Sequence, residues 1–211
     1  MSKRGYFISF EGPEGSGKST QIRALNDYLS EKGYETVTSR EPGGTMQGEL
    51  MRDMLQHDDR YKLAPESEVF VFSASRRELV NNVIEPALLN GKIVLQDRFA
   101  DSTTAYQAYG RELDLATVMA INNFAIGDNW PDLTFLLDLP PEVGLARQRR
   151  GQKAPDKFER EDMPFHRAVR KGYLEIAAQN PDRFAVVDAA RSSDVIQSEI
   201  IAILDERLKL S

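Results

Sequence analysis

Ile8-Ser9-Phe10-Glu11-Gly12-Pro13-Glu14-Gly15-Ser16-Gly17-Lys18-Ser19-Thr20 runs from a short apolar segment into a glycine-rich turn, and Gln21 to Leu29 then carry apolar side chains at helical spacing. Strand, loop and helix follow in order. Gly12 to Ser19 match G-x-x-x-x-G-K-[ST], in which small residues let several backbone N–H groups converge on one anion. A phosphate chain suits that arrangement. The helix beginning near Lys18 aims its N–H groups and positive dipole end at the same place, Lys18 bridges the outer phosphates, and Ser19 offers a hydroxyl to Mg²⁺. Gly12, Pro13, Glu14, Gly15, Ser16, Gly17, Lys18, Ser19 and Thr20 are therefore the expected donor site. A turn of this composition that binds nothing is the bland alternative, and the full pattern in its strand-and-helix context argues against it. A dinucleotide fingerprint fits less well, because Gly15-Ser16-Gly17 is followed by Lys18-Ser19-Thr20 with no third glycine.

The 211 residues suffice for one sizeable core with a small mobile insertion and are too few for two large domains, so the chain reads as one domain, 1–211. A net charge of −6 gives no global basic field, which favours free nucleotides over nucleic-acid polymers. The absence of cysteine excludes disulfides and thiolate metal sites and suits the cytosol. His57 and His166 stand far apart in polar surroundings and read as surface positions. The apolar segment after Lys3 and Arg4 meets Glu11 too soon for a signal peptide, and no apolar run approaches the roughly 20 residues that span a bilayer. The expectation is a soluble, cytoplasmic protein.

Outward from the loop, Gly33 suits a helix C-cap, and Tyr34 to Ser39 read as a second strand rich in β-branched residues. Arg40-Glu41-Pro42-Gly43-Gly44-Thr45 is a sharp turn, followed by helix from Glu49 to Gln56 and a longer helix from about Glu66 to Leu89. On that helix Phe72 and Arg76 are four apart and share a face. They read either as an aromatic plane and a guanidinium holding a flat heterocycle, or as a core Phe beside a solvated Arg. Ile93 to Gln96 form a third buried strand ending on Asp97-Arg98, where open α/β sheets place ligands. Asp97 suits a metal or its bound water and Arg98 a phosphate; a surface ion pair is the alternative. Thr103 and Gln107 lie four apart on the next helical turn and can present a hydroxyl and an amide together, or be ordinary exposed polar residues.

A helix from Leu113 to Ile126, a strand from Asp132 to Asp138 and a helix from Glu142 to about Gln148 lead into Arg147-Gln148-Arg149-Arg150-Gly151-Gln152-Lys153-Ala154-Pro155. That basic, Gly/Pro-punctuated stretch reads as a mobile flap, about 148–160, able to close over phosphates, or as a solvated loop. Helix Met163 to Gln179, strand Phe184 to Asp188 and a helix from Asp194 to about Lys209 complete the chain. Strands alternating with helices predict a three-layer α/β/α fold around a five-stranded parallel sheet.

Donor phosphates, a metal, an acceptor pocket and mobile positive charge together describe phosphoryl transfer, which depends on alignment and charge stabilisation. A nucleotide-dependent switch is disfavoured, since neither D-x-x-G nor N-K-x-D occurs. A motor or helicase ATPase fragment is disfavoured because no candidate strand ends in Asp-Glu. A kinase of another nucleotide, or of a nucleoside or small-metabolite hydroxyl, differs only in its acceptor pocket.

Over nearly the whole chain the residues resemble the bacterial thymidylate kinases, of the P-loop nucleoside monophosphate kinases. The likeness rests on Phe10 to Thr20, on Arg40 to Thr45 as R-E-P-G-G-T, on Asp97-Arg98-Phe99 as D-R-[FYH], and on Ser102 to Gln107. It implies ATP as donor, Mg²⁺ at Ser19 and Asp97, dTMP as acceptor and a homodimer. It further implies Phe72 stacked on thymine, Arg76 on its carbonyl edge, Thr103 and Gln107 on the remaining polar edge, and Tyr106 crowding the sugar 2′ position. Arg98 would hold the acceptor phosphate, with Glu14 and Asp97 near the metal or the acceptor. Lys18, Arg98, Glu14, Asp97 and a flap arginine form the implied catalytic set, with Arg149 first and Arg147 and Arg150 next. The chain departs from the family pattern after the flap, where Asp156-Lys157-Phe158-Glu159 replaces Asp-Arg-[IF]-Glu, which leaves Arg160 as a possible substitute.

Overall fold

The computed structural model describes residues 4–60, 62–150 and 155–209. Five parallel strands, β1 (Phe7–Glu11), β2 (Thr36–Arg40), β3 (Ile93–Asp97), β4 (Leu133–Asp138) and β5 (Phe184–Asp188), lie in the order β2-β3-β1-β4-β5. The helices are α1 (Lys18–Glu31), α2 (Met46–Arg52), α3 (Pro65–Leu79), α4 (Glu85–Leu89), α5 (Ala100–Thr103), α6 (Leu115–Ile126), α7 (Pro141–Arg150), α8 (Met163–Gln179) and α9 (Ser193–Leu208). Central β1 is buried at every position, as a parallel strand covered on both faces must be. Its alternation sends Ile8 and Phe10 to one face, against Leu25 and Leu29 of α1 and Ile200 and Leu204 of α9. Phe7 goes to the other face, against Leu79, Leu88, Phe99 and Ile126. The expected three layers are present.

β1 pairs with β3 so that Phe10 stands opposite Asp97. From these neighbouring strands the chain leaves to opposite faces, to α1 from β1 and to α5 and α6 from β3, which opens a crevice at their carboxyl ends. The phosphate loop and Asp97-Arg98 meet there.

Strand β5 and helix α8 have the bounds that the sequence predicts. Other ends differ for local reasons. Helix α2 starts at Met46 rather than Glu49, because the Thr45 hydroxyl caps it by accepting from Gly48 N at 3.0 Å. Asp114 caps α6 in the same way on Thr117 N, so that helix begins at Leu115. The long helix expected from Glu66 to Leu89 is broken by a π-helical stretch, Val80–Ile84, shortly before Pro86, whose missing N–H interrupts the regular ladder. Helix α7 runs on to Arg150, so Arg147, Arg149 and Arg150 form its last turn rather than a loop, where cations complement the helix dipole. Of the rest of the expected flap, 151–154 lie outside the described residues. His166 is buried rather than exposed, 3% accessible, because it shares a face of α8 with Val169 and Tyr173.

Candidate active site

Glycine makes the phosphate loop possible at its contact with α7. Gly15 has φ +69°, and a Cβ there would stand 2.2 Å from the Gly144 carbonyl oxygen; a Cβ on Gly144 would stand 2.0 Å from that of Glu14. The loop and α7 thus meet backbone to backbone. Within the loop the Lys18 ammonium donates to Gly12 O at 3.0 Å, Pro13 O at 3.1 Å and Ser16 Oγ at 3.3 Å. Burial, with Arg98 repelling it, lowers Lys18 to about 8 although Glu14 and Asp97 act against the fall. The Ser19 hydroxyl donates to Asp97 Oδ2 at 2.6 Å, which sets two hard oxygens side by side at the end of the loop. That donor set fits Mg²⁺, which takes one or two protein oxygens and leaves the rest to phosphate and water.

Arg98 departs from the sheet in the left-handed region, φ +65°. Its peptide is held on both sides: Gln96 Nε2 donates to Arg98 O at 3.0 Å, and Phe99 N donates to Glu11 Oε1 at 2.7 Å. A non-glycine residue at positive φ persists where its surroundings over-determine it. The guanidinium donates to Glu14 Oε1 at 2.6 Å, Tyr173 Oη at 3.0 Å and Gly12 O at 3.1 Å, and lies over the Tyr106 ring. Burial works to raise the Glu14 carboxyl, but Arg98 and Lys18 outweigh it, helped by the Tyr106 hydroxyl at 2.7 Å, and hold it at about 2. Glu11 is the opposite case. It accepts from Ser102 Oγ and Tyr173 Oη, and burial, with Asp101 nearby, pushes its carboxyl up to about 8.

Two cavities meet at Glu14 and Arg98. One is an open cleft of about 1040 Å³ along the loop from Glu14 to Thr20, with Asp97 in its wall. The other, of about 370 Å³, is lined by Phe72, Arg76, Arg98, Thr103, Tyr106 and Gln107, so all six residues expected at the acceptor line one cavity. Helix α5 continues through Thr104–Gly110 as a π-helix, and the wider turn still leaves Thr103 and Gln107 on the same wall. Arg76 is neither solvated nor beside a core Phe alone. It is 1% exposed and donates to Glu41 through Nε and Nη2, to Thr103 Oγ1 and to Asn122 Oδ1. Burial raises Glu41 to about 6 against the pull of Arg76.

Besides Lys18 and Arg98, positive charge around the phosphate cleft comes from Arg40, Arg52 and Arg147. Among the described residues lining that cleft, Arg149 and Arg150 are not found; both are exposed at the end of α7. The Lys157 ammonium donates to Met54 O and Asp58 O, and Arg160 pairs with Asp59 at 2.6 Å, so both bind this segment to the stretch that follows α2. Sequence reasoning missed Arg52, Glu41 and Glu11 as site residues. Arg40 and Glu41 stand in the quoted turn and could have been found there, whereas no local pattern marks Arg52.

A phosphate loop alone serves many nucleotide-using proteins, but a second walled cavity that shares Glu14, Glu41, Gln56 and Arg98 with the cleft provides for a second ligand, and this fold and site define a P-loop kinase. A family model described as thymidylate kinase matches residues 10–200. Thymidylate kinase of Desulfosudis oleivorans is 45% identical over 205 residues, 94% of this chain and 96% of that protein. That of Kosmotoga olearia is 47% identical over 195 residues, 92% and 93% of the two chains. The crystal structure of thymidylate kinase from Ehrlichia chaffeensis superposes with a TM-score of 0.77 at 37% identity, covering 95% of this chain and 99% of that one. The chain belongs to the thymidylate kinase family.

Proposed function

We propose that the two cavities divide the family's reaction between them, the γ-phosphoryl group of ATP passing to dTMP to give dTDP. The observation that carries this reading is the meeting of the phosphate cleft and the aromatic-walled cavity at Arg98 and Glu14. ATP lies with its phosphates along Gly12 to Thr20 and is met by Lys18. dTMP lies with its base against Phe72, its polar edges toward Arg76, Thr103 and Gln107, its sugar beside Tyr106 and its phosphate on Arg98. An oxygen of the dTMP phosphate attacks the γ-phosphorus as the bond to the β-phosphate oxygen breaks, and dTMP as a dianion needs no general base. Ser19 and Asp97 are the residues that would hold Mg²⁺, which when bound neutralises charge on the phosphates. A net charge of −6 supports free nucleotides as ligands, and a sequence without cysteine supports a cytoplasmic enzyme. The chain acts as one kinase domain, 1–211, with its flap at about 148–160.

Charge on the transferring group is stabilised by a guanidinium from the end of α7, Arg149 in the family-based assignment, with Arg147 and Arg150 beside it. Arg147 has support of its own from the cleft it lines. Alanine at the residue that acts should lower kcat by about 10²-fold or more with the KM values little changed. Arg147→Ala, Arg149→Ala and Arg150→Ala, measured with saturating ATP and dTMP, decide between them; full activity in all three would remove the role from α7.

A second copy of the chain is the proposed partner. Helices α2 and α6 both pack on α3, and this group of helices leaves Phe70 61% and Phe124 89% exposed, with Met46 and Leu50 outward as well. Burying such side chains between copies is favourable. Sedimentation at micromolar concentration should give a dimer mass, and Phe124→Asp should lower it; a monomeric parent would end the proposal.

A further inference from the structure

Gln107 is fully buried in the wall of the smaller cavity, and its amide is only half used. Its Nε2 donates to Glu68 Oε2 at 3.1 Å, while its Oε1 is buried without a hydrogen-bond partner. Glu68 is itself buried and gripped by Arg111, whose Nε reaches Oε2 at 3.2 Å and whose Nη2 reaches Oε1 at 3.1 Å. Arg111 is anchored in turn by Glu161 at 2.7 Å and by the Phe165 ring, 4.9 Å from its guanidinium carbon. A carboxylate paired in this way only accepts, so it fixes which end of the amide faces it. Turning Gln107 over would set its carbonyl oxygen against a carboxylate oxygen. A buried oxygen left without a donor is costly, and a ligand in the cavity can supply that donor.

We propose that Glu68, held by Arg111, is a specificity-determining positioning residue that presents the Gln107 carbonyl oxygen to the acceptor cavity, so that the site takes a pyrimidine with an N–H at ring position 3. Thymine and uracil carry that N–H; cytosine has a lone pair there and would place acceptor against acceptor. The inference rests on the reading of this cavity as the acceptor site.

The test compares kcat/KM for dTMP and dCMP in the full-length enzyme and in Glu68→Gln, whose own side-chain amide can donate to a turned-over Gln107. The dTMP to dCMP ratio should fall by about 10-fold or more, with an absolute gain for dCMP, while the KM for ATP stays within about twofold. A merely structural role would lower both acceptors together, and an unchanged ratio overturns the proposal. Arg111→Lys, which keeps a cation but not the two-point grip, should shift the ratio the same way by a smaller factor and decides the matter if Glu68→Gln does not fold. Gln107→Ala separates the two readings. If it leaves the KM for dTMP unchanged, the acceptor-site reading fails and this inference with it; if it raises that KM while the ratio in Glu68→Gln is unchanged, only the inference fails.

Discussion

Arg98→Ala should lower kcat/KM for dTMP by about 10³-fold, more than any other single side-chain truncation at the site, while the KM for ATP rises only a few-fold. The size follows from position. One guanidinium lines both cavities, donates to Glu14, Tyr173 and Gly12 O, and lies over the Tyr106 ring. Removing a donor fixed where charge develops costs about 10²–10³-fold, and a loosened acceptor adds an alignment loss. The damage spreads to Glu14, whose carboxyl is held at about 2 against burial mainly by Arg98. Without that partner the carboxyl rises, and the pair of Glu14 with the Tyr106 hydroxyl loosens. Arg98→Lys keeps a charge but not the planar fork and should fall between the two. Steady-state kinetics in both substrates provide the check, and a loss in Arg98→Ala below tenfold would show that another group holds the acceptor.

The second large effect is expected from a single methyl group. In Gly144→Ala the new Cβ would stand 2.0 Å from the carbonyl oxygen of Glu14 and 3.2 Å from its carbonyl carbon. No side chain can turn aside to make room, because the obstacle is backbone. Either α7 lifts from the phosphate loop or the loop is pushed toward the cleft, by about 1.4 Å or more at the contact if an ordinary van der Waals spacing of 3.4 Å is restored. A displacement of that size between reacting groups costs about 10²-fold. We expect kcat to fall by that factor and the melting temperature to fall by several degrees. Turnover within threefold of the parent enzyme would mean that α7 and the loop can separate without consequence.

Much of the fold was legible because its signals are local. The phosphate loop is a spacing of small residues, β1 is an apolar run before it, and α8 shows its buried face at i, i+4 and i+8 through Phe165, Val169 and Tyr173. The same helix shows the limit of reading by residue type: His166 looks polar, yet its position on that face buries it. Helix starts were misplaced where the cap lay outside the apolar pattern, as Thr45 and Asp114 do. The site was legible unevenly. Lys18, Ser19 and Asp97 follow from the loop motif and a strand end, and Asp97 comes beside Ser19 through the β1 and β3 register. Phe72, Arg76, Thr103 and Gln107 gained their roles from family likeness, because spacing alone left them divided between site and core. Glu68, Asn122 and Arg52 were out of reach of sequence reasoning. Their work is done on partners 10 to 46 positions away, in Pro42 for Arg52 and Asn122 for Arg76 among others, and no local pattern records such a pairing.

The seat of α7 on the phosphate loop bears on which second mutations can rescue a first. Where a new side chain collides with another side chain, trimming the neighbour restores fit, and such pairs trade substitutions freely. Gly15 and Gly144 offer no such exchange, since each faces a peptide carbonyl that every residue type carries. Suppressors of a lesion at either glycine should therefore map away from both, to residues that set the pitch of α7 against the sheet, and a genetic selection for them would trace the contacts that seat the helix.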